Sequence, residues 1–291
     1  MSTVDFLKLF DLAPAGADRW IGLSPDNGWP RVFGGQVVAQ ALSAAQRTVV
    51  ERAVHSLHAY FILGGDPHEP IQYDVERVRD GRSFTTRRVV ASQRRETIFI
   101  MSASFHTNEE GLEHELEAPA APGPEETPDP RAFIAPAGEA ALRQYEAFMA
   151  RVAPIEIKPL DLKRYLPLRP GETRPARQMQ WMRVGADLPD DPAFHAVGLA
   201  YLSDLTLLDA ALARHGHSIA GGKFQLASLD HAIWFHRHAK VDDWLLYAQD
   251  SPSAQGGRGL SRGTLYDREG HLVASVAQEG LIRPKRAAKA P

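Results

Sequence analysis

The chain has 291 residues, 44% of them hydrophobic and 24% charged, with 33 Lys and Arg against 36 Asp and Glu and no Cys. That composition is globular and excludes extended disorder and collagen-like repeats, while the lack of Cys excludes disulfides, iron–sulfur clusters, thiolate-bound zinc and a thiol nucleophile. A formal charge of −3 supplies no basic field for nucleic acid.

The first element expected is a helix over 34–50. Gln36, Gln40, Ser43 and Arg47 recur at steps of three and four, leaving Val37, Val38, Ala41, Leu42 and Ala45 on the other face. Strands follow at 71–79, 83–93 and 97–106, with a hairpin turn at 93–96. Residues 113–136 are rich in Pro among acidic and small residues, which is linker chemistry rather than core. A helical pattern at 139–152 comes next. The stretch 196–212 is apolar nearly all round, so it predicts a helix buried on most sides, stopped at Gly216. Strands at 226–237, 244–251, 259–266 and 272–282 complete the chain.

The two parts resemble each other. Gly81-Arg82-Ser83-Phe84-Thr85 reappears as Gly257-Arg258-Gly259-Leu260-Ser261, and each part runs helix, then several strands. Collinear matches of this kind argue for an internal duplication. One helix followed by an antiparallel sheet, done twice, is an α+β arrangement. No βαβ alternation or phosphate-binding Gly fingerprint accompanies Gly34-Gly35. The segment Met1 to Asp11 lacks a secretory apolar core, and Asp204 and Asp209 make the most apolar stretch too polar to span a bilayer. A cytoplasmic protein without a membrane span is expected.

Three polar residues break the apolar pattern. Gln278 shares a strand face with Leu272, Ala274 and Val276 by period two, whereas the counterpart strand places Phe105 there. Asp204 stands in the most apolar helix. It is either a buried carboxylate, costly unless partnered, or the cap of a break between two helical pieces. Ser228 opens a strand and lacks the elbow motif of a serine nucleophile. The histidines, among them His55, His58, His231 and His236, form no metal-ligand spacing and read as structural. Arg77, Arg79, Arg82, Arg87 and Arg88 are cationic candidates for phosphate contacts, although alternation leaves most on solvated faces.

Several longer motifs then stand in one order: Arg31-Val32-Phe33-Gly34-Gly35-Gln36 through Leu42, His58-Ala59-Tyr60-Phe61, and Arg79-Asp80-Gly81-Arg82-Ser83-Phe84. In the second part come Ser203-Asp204-Leu205, Asp230-His231-Ala232-Ile233-Trp234-Phe235 and Ala274-Ser275-Val276-Ala277-Gln278-Glu279-Gly280. Together they resemble the acyl-CoA thioesterase II family over nearly the whole chain. The resemblance implies a double hot-dog fold, two tandem units each with a curved antiparallel sheet wrapped around a central helix. It implies a first unit at 1–112 with a degenerate site, a Pro-rich linker with a helix at 113–176, and a second unit at 177–291 carrying the catalytic residues. It further implies hydrolysis of acyl-CoA to a free fatty acid and CoA without a cofactor or metal, in a homodimer or homotetramer. The family's catalytic Asp, Thr or Ser, and Gln fall on Asp204, Ser228 and Gln278. Rival readings are a hot-dog hydratase or dehydratase using His58 or His231, and a non-enzymatic acyl-CoA binding module.

Overall fold

Among the described residues thirteen strands form one sheet around two buried helices. The computed structural model describes residues 3–25, 28–162, 172–217 and 223–285. Helix α1 (Thr3–Leu9) and strands β1 (Ala13–Pro14) and β2 (Arg19–Gly22) precede α2 (Gly34–Gln46). Strands β3 (Ala53–Phe61), β4 (Ile71–Asp80), β5 (Phe84–Gln93) and β6 (Glu96–His106) follow it. The expected turn at 93–96 is tight: Arg94 and Arg95 both take positive φ, 48° and 70°, the primed geometry whose twist matches that of the flanking strands.

The middle stretch holds α3 (Pro130–Ile134), a 3-10 turn (Ala135–Ala137), α4 (Glu139–Val152) and β7 (Ile155–Pro159). Its first part is more than a tether. Ala118 and Ala121 pack on the cluster Trp181, Trp244, Leu246 and Tyr266, and the Trp181 indole N–H donates to the Pro122 carbonyl at 2.8 Å. Residues 163–171 of the expected linker lie outside the described residues.

The second half comprises β8 (Arg177–Val184), α5 (Pro192–Ser203), α6 (Asp209–Ala213), β9 (Phe224–Ser228), β10 (Asp230–Phe235), β11 (Leu245–Gln255), β12 (Arg258–Tyr266) and β13 (Leu272–Pro284). The sheet order is β1-β2-β4-β5-β6-β3-β10-β13-β12-β11-β8-β7, with β9 on β13. From the central β3–β10 pair outward, the order β3-β6-β5-β4-β2 mirrors β10-β13-β12-β11-β8. A duplicated unit joined through one antiparallel pair gives this symmetry. In the register, Thr85 faces Phe105 as Ser261 faces Gln278.

Helix α2 is buried from Gly35 to Ala45, and its backbone passes close to α5: a Cβ on Gly35 would stand 2.6 Å from the Tyr201 carbonyl oxygen. Two expectations need correction. The helix at 196–212 is not continuous, since it breaks between Ser203 and Asp209. The strand at 226–237 is likewise divided at Leu229, where the Asp230 carboxylate accepts the N–H of Glu279 at 2.6 Å.

Candidate active site

Asp204 is the residue at which α5 ends. Asp191 opens that helix by accepting the Ala193 N–H, and Pro192 occupies the first position, where its missing donor costs nothing. The helix stops because the chain turns sharply: Thr206 has φ +63°, a strained conformation for a β-branched residue at about 1–3 kcal/mol. The sequence left open a capped break. It exists, but Asp204 closes α5 rather than opening α6, whose N-cap position is Leu208.

A break inside a core frees backbone carbonyls, and a buried carbonyl requires a donor. Side chains from β8 and β11 supply them. The Tyr247 hydroxyl donates to the Ser203 carbonyl at 2.6 Å, Gln178 to that of Thr206 at 2.9 Å, and Gln249 to that of Leu205 at 3.4 Å. Gln180 donates to the Thr206 hydroxyl. Burial raises the Tyr247 phenol well above its ordinary range, so it stays a donor. Burial, and then the Asp204 charge, raises Tyr201 similarly.

Asp204 is 8% exposed. Its Oδ1 accepts from the Ser228 hydroxyl at 3.1 Å, and Gln278 Nε2 donates to that same hydroxyl oxygen at 3.0 Å. The three candidate residues therefore form one connected chain. Ser228 ends β9 opposite Gly280, two residues from Gln278, which is how β13 brings them together. Gln278 is 1% exposed, on the inward face anticipated for it. Its carbonyl oxygen meets His231 Nδ1 at 2.5 Å, and His231 Nε2 meets the Ser203 hydroxyl at 2.8 Å.

The other side of Asp204 faces α2. A Cβ on Gly34 would stand 2.7 Å from Asp204 Oδ2, so only Gly permits this approach. Phe33, at the N-cap, provides no side-chain cap. Among the described residues the N–H groups of Gly34 and Gly35 have no backbone acceptor; the first to find one is Gln36, on the Phe33 carbonyl. The positive end of α2 thus lies against the Asp204 carboxylate.

His58 is exposed on the opposite sheet face, edge-on to Trp234 with 5.2 Å between ring centroids. Among the described residues neither His58 nor His231 pairs with a carboxylate, the partnership a hydratase reading wants. No group of three His, Cys, Asp or Glu side chains among them could hold a metal ion. Of the arginines, Arg87 is buried rather than solvated, bonded to Asp80 at 2.6 Å and to the Thr48 hydroxyl at 2.7 Å. Arg77 is engaged with Asp18. Sequence reasoning read His231 as structural or as a hydratase candidate and missed its contact with Gln278, along with Ser203, Tyr247 and the close approach of Gly34 to Asp204. The inward alternation of His231 beside Gln278 was the available signal.

Comparisons with known proteins point to one family along the chain. A family model described as acyl-CoA thioesterase matches residues 156–281, and one described as its N-terminal domain matches residues 25–106. Acyl-CoA thioesterase 2 of Haemophilus influenzae is 39% identical over 263 residues, covering 90% of this chain and 91% of that protein. The solved acyl-CoA thioesterase II TesB2 of Mycobacterium marinum is 41% identical, with a TM-score of 0.77 over 96% of this chain and 98% of its own. A hot-dog protein of unknown function from Alicyclobacillus acidocaldarius shares the fold at 20% identity, with a TM-score of 0.75 over 97% and 99% of the two chains. No helix among the described residues is long and apolar enough to cross a membrane. With its double hot-dog sheet and relatives matched along nearly their full length, the chain belongs to the acyl-CoA thioesterase family.

Proposed function

We propose that the protein hydrolyses acyl-CoA thioesters to a free fatty acid and CoA through a water molecule held and activated by Asp204, Ser228 and Gln278, with no covalent intermediate. The observation that carries this reading is the Ser228 hydroxyl, which donates to the Asp204 carboxylate and accepts from the Gln278 amide. Ser228 gives its one proton to Asp204 and accepts from Gln278, and in this reading it positions the water rather than attacking.

The chemistry follows from that arrangement. Water attacks the thioester carbonyl carbon and passes a proton to Asp204, a general-base effect of roughly 10²–10⁴-fold. The carbonyl oxygen becomes an oxyanion. The N–H groups of Gly34 and Gly35, which have no backbone acceptor among the described residues, are the donors suited to receive it, each such donor being worth about 2.7–4 kcal/mol. Collapse breaks the carbon–sulfur bond, and the departing thiolate takes the proton from Asp204. The relatives named as acyl-CoA thioesterases support the substrate class. In this reading the first half, with Phe105 opposite Thr85, is the unit without a working site.

Thiol release from acyl-CoA by the purified protein, compared with Asp204→Asn, tests the proposal. The variant removes the base while keeping shape and an acceptor for Ser228. Loss of nearly all turnover with an unchanged fold is expected, and wild-type turnover in the variant would reject the mechanism.

A further inference from the structure

We infer that His231 is the positioning residue that holds the Gln278 amide in its working orientation; this rests on the function proposed above. The two ends of a Gln amide are nearly alike in shape, so packing alone does not choose between them. Their hydrogen-bond partners do. Gln278 lies against two groups: Ser228 Oγ at 3.0 Å and His231 Nδ1 at 2.5 Å.

Reversing the amide shows what is at stake. With its oxygen toward Ser228, it would compete with Asp204 for the one hydroxyl proton. Either Asp204 Oδ1 would lose its donor or two oxygens would face each other with no proton between them. A proton on His231 Nδ1 prevents this by requiring the amide oxygen on its own side. Each donor then points one way: His231 Nδ1 to Gln278, Gln278 Nε2 to Ser228, Ser228 to Asp204. The second N–H of Gln278 has no acceptor among the described residues and is free for the water or the substrate.

Ser203 fixes the other end of the ring. Its hydroxyl lies 2.8 Å from His231 Nε2 and 2.9 Å from the Ala200 carbonyl oxygen. The one hydroxyl proton is given to Ala200; turned to a neutral Nε2, it selects the tautomer protonated at Nδ1, the one this role requires. His231 is 1% exposed and makes no bond to Asp204 or Ser228, so it acts through Gln278 alone. Ser203 also immediately precedes Asp204, and the wire therefore begins and ends at one turn of α5.

Three substitutions separate this role from packing. In His231→Asn the amide nitrogen can take the place of Nδ1, in His231→Gln that of Nε2, and His231→Leu offers no donor. The expected result is a fall in kcat of up to about 100-fold for Leu and Gln, with KM within about twofold and substantial rescue by Asn. Circular dichroism and thermal midpoints of all three accompany the kinetics. Wild-type kcat in a folded Leu or Gln variant, or losses in Asn and Gln that merely track lost stability, would overturn the inference. Should Leu fail to fold, the Asn–Gln comparison still decides. Asp204→Asn, assayed alongside, keeps the two ideas apart: an inactive Asp204→Asn beside fully active His231 variants rejects only the role of His231.

Discussion

Gly34, at the start of one central helix, faces Asp204, at the end of the other, so closely that a Cβ would stand 2.7 Å from Asp204 Oδ2 and 3.1 Å from the Phe61 ring. The two residues come from opposite halves of the chain. In the proposed mechanism the carboxylate and the N–H groups at the start of α2 serve one substrate because α2 and α5 lie against each other. A site divided in this way depends on the duplication remaining a single body.

Gly34→Ala tests that juxtaposition. Alanine favours a helix over glycine by about 0.5–1 kcal/mol, so the fold should persist while Asp204 is pushed aside. We expect kcat to fall by about 100-fold, the scale of a displacement near 1 Å, with little change in thermal midpoint. Steady-state kinetics with matched melting curves give the answer, and an unaltered kcat would show that Asp204 tolerates the shift.

Two substitutions at Ser228 separate the hydroxyl from the methyl. Ser228→Ala leaves Asp204 Oδ1 and Gln278 Nε2 without their shared partner and should lower kcat by roughly 10–100-fold. Ser228→Thr keeps the oxygen and restricts χ1, so wild-type turnover or better is expected. Equal loss in both variants would argue that Ser228 serves packing.

Tyr247→Phe removes the donor to the Ser203 carbonyl next to Asp204. A buried carbonyl left without a partner costs about 1–3 kcal/mol, readable as a lower urea midpoint at unchanged slope. Activity should fall with it, because the helix break loses a tie. A variant as stable as wild type would mean that another donor moves in.

The clasp between the Pro-rich strap and β13 should respond to pH. Glu115 accepts from the Leu272 N–H at 2.9 Å, pairs with Arg237 at 2.9 Å and meets His271 at 3.0 Å. The hydrogen bond to Glu115 raises His271 above its usual 6.5. The bonds from His271 and Leu272 lower Glu115 below its usual 4.5. A raised His stabilises fully below 6.5 and loses its contribution as pH climbs through the folded value. A lowered Glu stabilises fully above 4.5 and loses its contribution as pH falls through its own folded value. Hydrogen-exchange protection of the strap should therefore be greatest between these limits and decline on both sides. Glu115→Gln should flatten the alkaline limb; a limb that persists would assign it to another group.

Much of this architecture is legible from side-chain periodicity. Alternation along β13 already turns Gln278 toward the core, and the apolar surroundings of Asp204 mark it as needing a partner. These are local properties, set by which face of a strand or helix is buried. The Pro-rich segment was half legible: its composition announces a connection, but the docking of Ala118 and Ala121 on Trp181 depends on a surface made elsewhere.

Sequence alone determined the central helix and most of the strands after it in each half, the duplication and the three out-of-place polar residues, but not α1, β1, β2, β7 or β8. Tertiary structure decided that 196–212 breaks after Ser203, because the donors that satisfy the freed carbonyls come from β8 and β11. It also decided who meets whom. Asp204 and Ser228 are 24 residues apart, and Ser228 and Gln278 are 50. Periodicity specifies a residue's face but not its neighbour across the sheet. Only the closing of β13 against β9 and β10, with the end of α5 beside Ser228, joins four residues into one hydrogen-bonded line.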